Sequence, residues 1–366
     1  MSSELTDIKS LSIDELTKEL TDRLGVQKFR AKQIYEWLHK KLVTDFDDMS
    51  NISKELKNKL KENYYITKLE PVQVLTSKID GTQKYLFKLS DGNVIESVLM
   101  KYKFGNSVCI SSQVGCRMGC RFCASTLDGL ERSLRPSEML DEIYRIQSLT
   151  GERVSNVVIM GSGEPFDNYD NIVKFLDLLT DENGLNISQR NVTVSTCGLV
   201  PRILELAKRQ LQITLAISLH APNDELRKTM MPIANKYSID EILHACKVYY
   251  ENTKRRITFE YSLVQGVNDT MECAEELIHR LRGMNCHVNL IPVNPIKERD
   301  YKQSFAKDIE KFKNRLEKNG INVTIRREMG RDIDGACGQL RRRYLKSGEP
   351  GEEGSDAESL GHEGYR

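Results

Sequence analysis

No apolar run in this chain is long enough to cross a bilayer, which excludes a helical membrane span and a membrane partner. The first residues, MSSELTDIKS, are polar and acidic where an export signal is basic and then apolar. A disulfide framework is missing too. Nine cysteines spread through 366 residues are an odd number in a long chain, unlike a small secreted scaffold, and they point to a reducing, cytoplasmic setting. Net charge is nearly absent at +1 but unevenly spread: residues 347–366 (SGEPGEEGSDAESLGHEGYR) hold six acids against one arginine, which leaves the rest of the chain at about +6. A mildly basic body permits an RNA partner without requiring one.

What the chain has in a decisive place is thiols. In SSQVGCRMGCRFCAS, Cys116, Cys120 and Cys123 stand at the C-x3-C-x2-C spacing of a loop that wraps one face of a four-iron cluster. No fourth Cys or His follows nearby. One iron would thus lack a protein ligand, and a small molecule could bind there. Structural zinc requires four protein ligands in a closed tetrahedron, so the lone triad fits that metal poorly. Gly115 and Gly119 beside the thiols suit a tight loop better than a chance cluster of core cysteines.

The N-terminal segment reads as helices. Ser12 and Glu15 form a capping-box pattern before Leu16 and Leu20, and Gly25 suits the stop. A second helix follows in QKFRAKQIYEWLHKK, with Phe29, Ile34, Trp37 and Leu38 as a buried stripe and Lys28, Arg30, Lys32, Lys40 and Lys41 left for phosphates. A third, through ISKELKNKLKENY, closes a small helical domain. Residues 72–103 then alternate in β fashion around the turn signals Asp80-Gly81 and Asp91-Gly92.

From about 107 onward, short apolar runs alternate with amphipathic helices: SVCISS, NVVIMGSGEP, NVTVSTCG, ITLAISLH, ITFEYSLVQGVND, HVNLIPVNP and NVTIRRE. That is the rhythm of a parallel α/β sheet. Six or seven units, too few for eight, predict a partial (β/α)6 barrel with its chemistry at the C-terminal ends of the strands. Cys116, Glu164, Ser195, Ser218, His220 and Asn294 each follow an apolar strand, so the fold would gather them at one mouth. The expected organisation is a helical, RNA-binding accessory domain over 1–65, a β-hairpin segment over 66–105, the barrel over 106–345, and a disordered acidic tail over 346–366.

Taken in order, CISSQVGCRMGCRFCAS, GSGEP, VSTCG, AISLHAPND, LIPVNP and DIDGACGQL resemble the radical S-adenosylmethionine (SAM) RNA adenine methyltransferases of the RlmN type and the related Cfr resistance enzymes. The resemblance runs over about residues 10–343. It implies one [4Fe-4S] cluster on Cys116, Cys120 and Cys123, whose open iron binds SAM and delivers the electron that cleaves it to a 5′-deoxyadenosyl radical. Glu164 after Gly163 matches the residue that meets the SAM amino group. Ser195, the run Ser218, Leu219 and His220, and Asn294 match further SAM contacts.

Cys337 matches the cysteine that takes a methyl group from a first SAM. The radical from a second SAM then activates that methyl for addition to an adenine carbon. Glu96 matches the proton acceptor that begins release, and Cys109 the thiol that completes it, leaving a disulfide with Cys337 that is then reduced. The remaining cysteines, Cys197, Cys246, Cys273 and Cys286, match no catalytic position and read as packing residues.

The implied substrates are 23S rRNA and tRNA, served by an external electron donor such as a flavodoxin or ferredoxin, with the enzyme acting as a monomer. Arg341 to Arg343 and the basic second helix are candidate phosphate contacts. Ser162 stands where the family has methionine, and Gly335 where alanine is common, so local packing alone is in question. Pro165 and the pair Asn294-Pro295 resemble the RlmN type, which methylates C2 of adenosine, over the Cfr type, which methylates C8. Two readings from other classes stay open on the residues: a cluster-bearing RNA-binding protein without turnover, and an activating enzyme acting on a protein glycyl residue.

Overall fold

The computed structural model describes residues 5–296, 298–333 and 338–347. Cys337, Gly335 and the acidic tail after residue 347 lie outside them.

The chain begins with a two-residue strand, β1 (Thr6–Asp7), followed by α1 (Ile13–Leu24), α2 (Lys28–His39) and α3 (Lys54–Asn63). A second short strand, β2 (Tyr64–Tyr65), pairs parallel with β1 and brings the end of this region back to its start. The Ser12–Glu15 capping box forms in both directions at the start of α1, and Gly25 ends that helix in the left-handed conformation. In α2 the expected stripe is only partly realised. Ile34 and Leu38 are buried and Trp37 half-buried, but Phe29 is 52 % exposed, because it lies in the first turn, ahead of the stretch that packs.

A buried ion pair ties this region to the sheet. The Lys9 ammonium donates to Asp141 at 2.7 Å and to the Thr67 carbonyl at 2.6 Å, while Asp141 also accepts the Leu69 N–H.

Ten strands then make one sheet. They are β3 (Glu70–Thr76), β4 (Gln83–Lys88), β5 (Val94–Tyr102), β6 (Gly105–Ile110), β9 (Val154–Ile159), β10 (Val192–Thr196), β11 (Thr214–Ser218), β12 (Ile257–Leu263), β13 (Cys286–Pro292) and β14 (Asn322–Ile325). The two strands between β6 and β9, namely β7 (Gln113–Gly115) and β8 (Leu130–Ser133), pair antiparallel with each other outside the sheet, at the two ends of the cysteine loop. Spatial order runs β14-β13-β12-β11-β10-β9-β6-β5-β4-β3. Strands β6 and β9 to β14 are parallel, and β3, β4 and β5 continue the β6 edge antiparallel.

Helices α4 (Pro136–Thr150), α5 (Tyr169–Thr180), α6 (Val200–Lys208), α7 (Asp224–Met230), α8 (Ile239–Thr253), α9 (Met271–Leu281) and α10 (Ala306–Lys318) connect successive parallel strands. The result is the expected partial α/β barrel, six β/α units with β14 as a seventh strand. Parallel strands covered on both faces require near-continuous apolar runs, and Ile159, Val194, Leu215, Ile217, Phe259, Val288 and Leu290 are all fully buried. The last described helix, α11 (Gln339–Ser347), packs against β5. No described helix is long and apolar enough to cross a membrane.

Candidate active site

The C-terminal ends of the parallel strands surround a cavity of about 310 Å³. Cys116, Cys120 and Cys123 enter it from the loop between β7 and β8, whose closing hydrogen bond runs from the Cys116 N–H to the Gly129 carbonyl at 2.8 Å. The loop is stitched to the end of β9. Both Ser112 and Gln113 donate backbone N–H groups to the Ser162 carbonyl, at 2.8 and 3.1 Å. Gly163 makes this approach feasible: its φ is +109°, and a Cβ there would stand 2.7 Å from the Gln113 nitrogen.

Glu164 is almost wholly buried on the cavity wall. Its two oxygens accept the N–H groups of Phe166 at 3.0 Å and Cys197 at 2.7 Å, so the carboxylate links the end of β9 to the end of β10. Burial pushes its pKa up, against the pull of those hydrogen bonds. Ser195 and Ser218 stand side by side on adjacent strand ends, their hydroxyls 3.4 Å apart. His220 takes a left-handed backbone, φ +58°, and its Nδ1 accepts the Ser262 N–H at 2.8 Å. Burial, with the nearby Arg227 charge, lowers its pKa to about 3, so the imidazole is neutral at physiological pH. Asn294 closes the wall after β13.

The comparisons with known proteins agree with this geometry. Residues 110–281 match the Radical SAM superfamily, and residues 6–66 match the ribosomal RNA large subunit methyltransferase N-terminal domain. A probable dual-specificity RNA methyltransferase RlmN of Lachnospira eligens is 71 % identical over 93 % of this chain and 97 % of its own. The Clostridium novyi protein of the same name is 60 % identical over 94 % of this chain and 100 % of its own. The crystal structure of a radical SAM methyltransferase from Sphaerobacter thermophilus superposes with a TM-score of 0.87 at 42 % identity, over 91 % of this chain and 98 % of that one.

The chain belongs to the RlmN family of radical SAM RNA methyltransferases.

Membership of the RlmN family implies use of SAM and a four-iron cluster, and the donor set suits the cluster. Three thiols line one cavity, and among the described residues the other histidines and cysteines on its walls are His220, Cys109 and Cys197. Among the described residues no group of His, Cys, Asp and Glu is drawn around a single metal ion. A cube does not ask for that, because each thiolate binds a different iron. Burial pushes the Cys116 thiol up to about 12 and raises Cys120 well above its ordinary value, the Cys123 charge adding to the cost of each. Thiolates so placed need a cationic centre.

Leu219 differs from its two neighbours. Its side chain is fully buried in the main core, because it points to the face opposite Ser218 and His220, and what it offers the strand end is its backbone N–H, donated to the Glu260 carbonyl.

Cys109 lies buried on the cavity wall opposite Val98 in the β5–β6 register. Glu96, two residues before Val98, does not line the cavity. It pairs with the fully buried Lys84 at 3.1 Å and accepts the N–H groups of Gly338 at 2.7 Å and Arg341 at 2.5 Å, which places its carboxylate on the first turn of α11, next in sequence to Cys337. No disulfide joins two described cysteines; the implied partner of Cys109 lies outside them. Cys246 and Cys286 are buried in the core and Cys273 packs against it, whereas Cys197 also faces the cavity.

Two candidate phosphate contacts prove to be inward-facing. Arg341 donates to the Val94 carbonyl at 2.9 Å, and Arg342 pairs with Glu298 at 2.5 Å, so both anchor α11. In α2, Arg30 is tied to the Asn51 carbonyl and Lys41 lies over the Trp37 ring.

Two buried residues went unread in the sequence. Glu260 lines the cavity and accepts from Asn289 at 2.8 Å; a lone acid inside the apolar strand ITFEYSL was the available signal. Arg227, fully buried, donates to the carbonyls of Cys197 at 2.6 Å and Leu219 at 3.1 Å, behind the same strand ends. Nothing in DELRKTM, an ordinary amphipathic turn, marks it out.

Proposed function

We propose that this protein methylates C2 of an adenosine in 23S rRNA, at the peptidyl transferase centre, and of the adenosine next to the anticodon in tRNA, through a methylated Cys337. The observation that carries the reading is the docking of α11. Glu96 grips the N–H of Gly338, the residue after Cys337, while Cys109 lies opposite Val98, two residues along the same strand face. A base and a resolving thiol thus share one strand region, with the base holding the residue next in sequence to Cys337, an arrangement that a binding protein or a glycyl-activating enzyme would not need.

Cys116, Cys120 and Cys123 hold the cluster, and Gly163, Glu164, Ser195, Ser218, His220 and Asn294 hold SAM. When bound, the cluster supplies the electron that splits SAM. Glu164, buried and acceptor-rich, suits a cationic amino group; Ser195 and Ser218 offer paired hydroxyls; the neutral His220, its Nδ1 already engaged, keeps only Nε2–H to offer. Glu96 takes a proton from the adenine carbon joined through the methylene to the Cys337 sulfur, and the Cys109 thiolate attacks that sulfur: the S–S bond forms as the S–CH2 bond breaks, the electron pair stays with the methylene, which takes a proton to become the product methyl, and an external donor reduces the disulfide back to two thiols. The apolar wall of Val98, Met100 and Met329 excludes water from the reacting carbon. A base inside a stacked helix is out of reach, so the target nucleotide must be extruded into the mouth. The helical region over 1–65 carries further contacts to RNA, as the match of residues 6–66 to a rRNA methyltransferase domain supports.

The test is anaerobic reconstitution with iron and sulfide, addition of SAM, a reductant and unmodified 23S rRNA and tRNA, and mass spectrometry of the nucleosides. We expect 2-methyladenosine from both RNAs. An 8-methyl product would overturn the C2 assignment, and full turnover by Cys337→Ala would overturn the methylcysteine route.

A further inference from the structure

On strand β5 side chains alternate between faces, so Glu96, Val98, Met100 and Tyr102 form one row. The row begins at the α11 contact, passes along the cavity wall and ends at the hairpin joining β5 to β6. Tyr102 packs against the cluster of Val98, Met100 and Cys109. Beyond it, Phe104 is 73 % exposed, yet its ring lies parallel to that of Tyr102, with centroids 4.8 Å apart and planes within 7°.

A single exposed aromatic would need no explanation. This pair differs in three respects. It continues the wall of the reaction cavity: four residues at ~3.3 Å each put Tyr102 about 13 Å along the strand from Val98. It is held still, because Lys101 pairs with Glu152 at 2.6 Å, Asn106 donates to Glu152 at 2.9 Å, and Ser155 donates to the Asn106 carbonyl at 3.1 Å. It also has the exposed Lys103 between the two rings in sequence. A preformed stack with one open ring face, beside an exposed lysine and on the continuation of the cavity wall, has the chemistry of a base platform, since every base offers a π face to an aromatic ring.

We propose that Tyr102 and Phe104 form a stacking platform for a base flanking the target adenosine, holding the RNA strand as that adenosine enters the cavity. This rests on the RNA reading above and adds to it the place where the neighbouring nucleotide sits. Stacking on the open face of Phe104 would also help to compensate the stacking lost when the target base leaves its helix.

The experiment uses the full chain and a tRNA anticodon stem-loop with 2-aminopurine beside the target adenosine, titrated at several salt concentrations. Binding should quench the 2-aminopurine. In Phe104→Ala the quench should disappear and affinity fall about 10-fold, with the salt dependence unchanged because no phosphate contact is lost. Phe104→Trp should restore both, whereas Phe104→Leu, which keeps an apolar tip without a ring, should not. Wild-type affinity and quench in Phe104→Ala would overturn the platform and leave the RNA reading standing. A change in sedimentation alone would overturn it in favour of a contact between copies. Failure of the wild-type protein to bind the stem-loop would remove the tRNA reading and the platform with it.

Discussion

Two buried lysine–carboxylate pairs use the same chemistry for different ends. Lys9 and Asp141, both wholly buried and 2.7 Å apart, serve the joint between the N-terminal region and α4: the other contacts of the pair run to the Thr67 carbonyl, the Leu69 N–H and, from Asp141, to Arg145 at 3.6 Å. Lys84 and Glu96 are as deeply placed at 3.1 Å, but Glu96 spends its oxygens on the backbone of α11, beside Cys337. The first pair is a fastening. The second holds the start of α11, next in sequence to Cys337, and in the proposed function its carboxylate serves the substrate base. Burying a charge pair seldom adds net stability, though breaking one by removing a single partner costs a great deal, so a pair retained at a reactive position points to a use other than stability.

The largest effect should come from removing each pair whole. Lys84→Met/Glu96→Gln takes away both charges and should leave a folded protein, yet methyl transfer should fall by roughly 10²–10⁴, the usual worth of a general base. Lys9→Met/Asp141→Leu should likewise fold and should methylate RNA normally. Equal activity in the two double variants, measured as methylated nucleoside per enzyme, would erase the distinction.

The single variants test the fastening itself. Lys9→Met leaves the buried Asp141 carboxylate with only the longer Arg145 contact at 3.6 Å and should cost up to about 3–5 kcal/mol in urea unfolding, part of which the added Asp141→Leu should return, since it unpairs Arg145 in turn.

Two histidines extend the comparison to pH. His39, packed between Tyr35 and Tyr144 near Lys9, and His220, at the cavity, are both lowered to about 3, by burial first and then by the nearby cation. In each case the unfolded chain binds the proton first, so the stabilisation is complete above about pH 6.5 and is lost as pH falls toward 3. Each group contributes a slope of about 1.4 kcal/mol per pH unit in that window. His39→Phe should flatten the pH dependence of unfolding by that amount while leaving the cavity intact. An unchanged slope would mean that His39 is charged in the fold.

The sequence announced the seven parallel strands and the three thiols because both are local patterns: alternation of apolar runs, and ligands within eight residues. It also announced Glu164, Ser195, Ser218, His220 and Asn294, since a residue after a parallel strand lies at the mouth whatever its partners. Leu219 came only with the motif, between Ser218 and His220, and its buried side chain leaves its backbone to meet the strand end. What no local pattern could supply was pairing across the chain. That β3 to β5 extend the barrel sheet, that Glu96 meets the start of α11, and that Arg227 lies behind Cys197 each join elements apart in sequence, and Arg341 and Arg342 looked like RNA contacts only until Val94 and Glu298 stood beside them.

The smallest expected effect probes how tightly the second pair holds its helix. Gly338 has φ +81°, and a Cβ there would stand 2.8 Å from the Ser125 nitrogen, in the turn that follows Cys123. Gly338→Ala therefore combines a left-handed penalty of roughly 1–3 kcal/mol with a clash against backbone. The chain can relieve both by lifting the start of α11, which would release the Gly338 and Arg341 N–H groups from Glu96. Hydrogen exchange at Arg341 should accelerate about 10-fold or more, while exchange at Leu69, whose N–H is held by Asp141 in the other pair, should not change. If both amides accelerate together, the two pairs belong to one cooperative unit and the division of labour between them disappears; if only Arg341 does, the helix beside Cys337 opens by itself, as a thiol that must leave one partner for another requires.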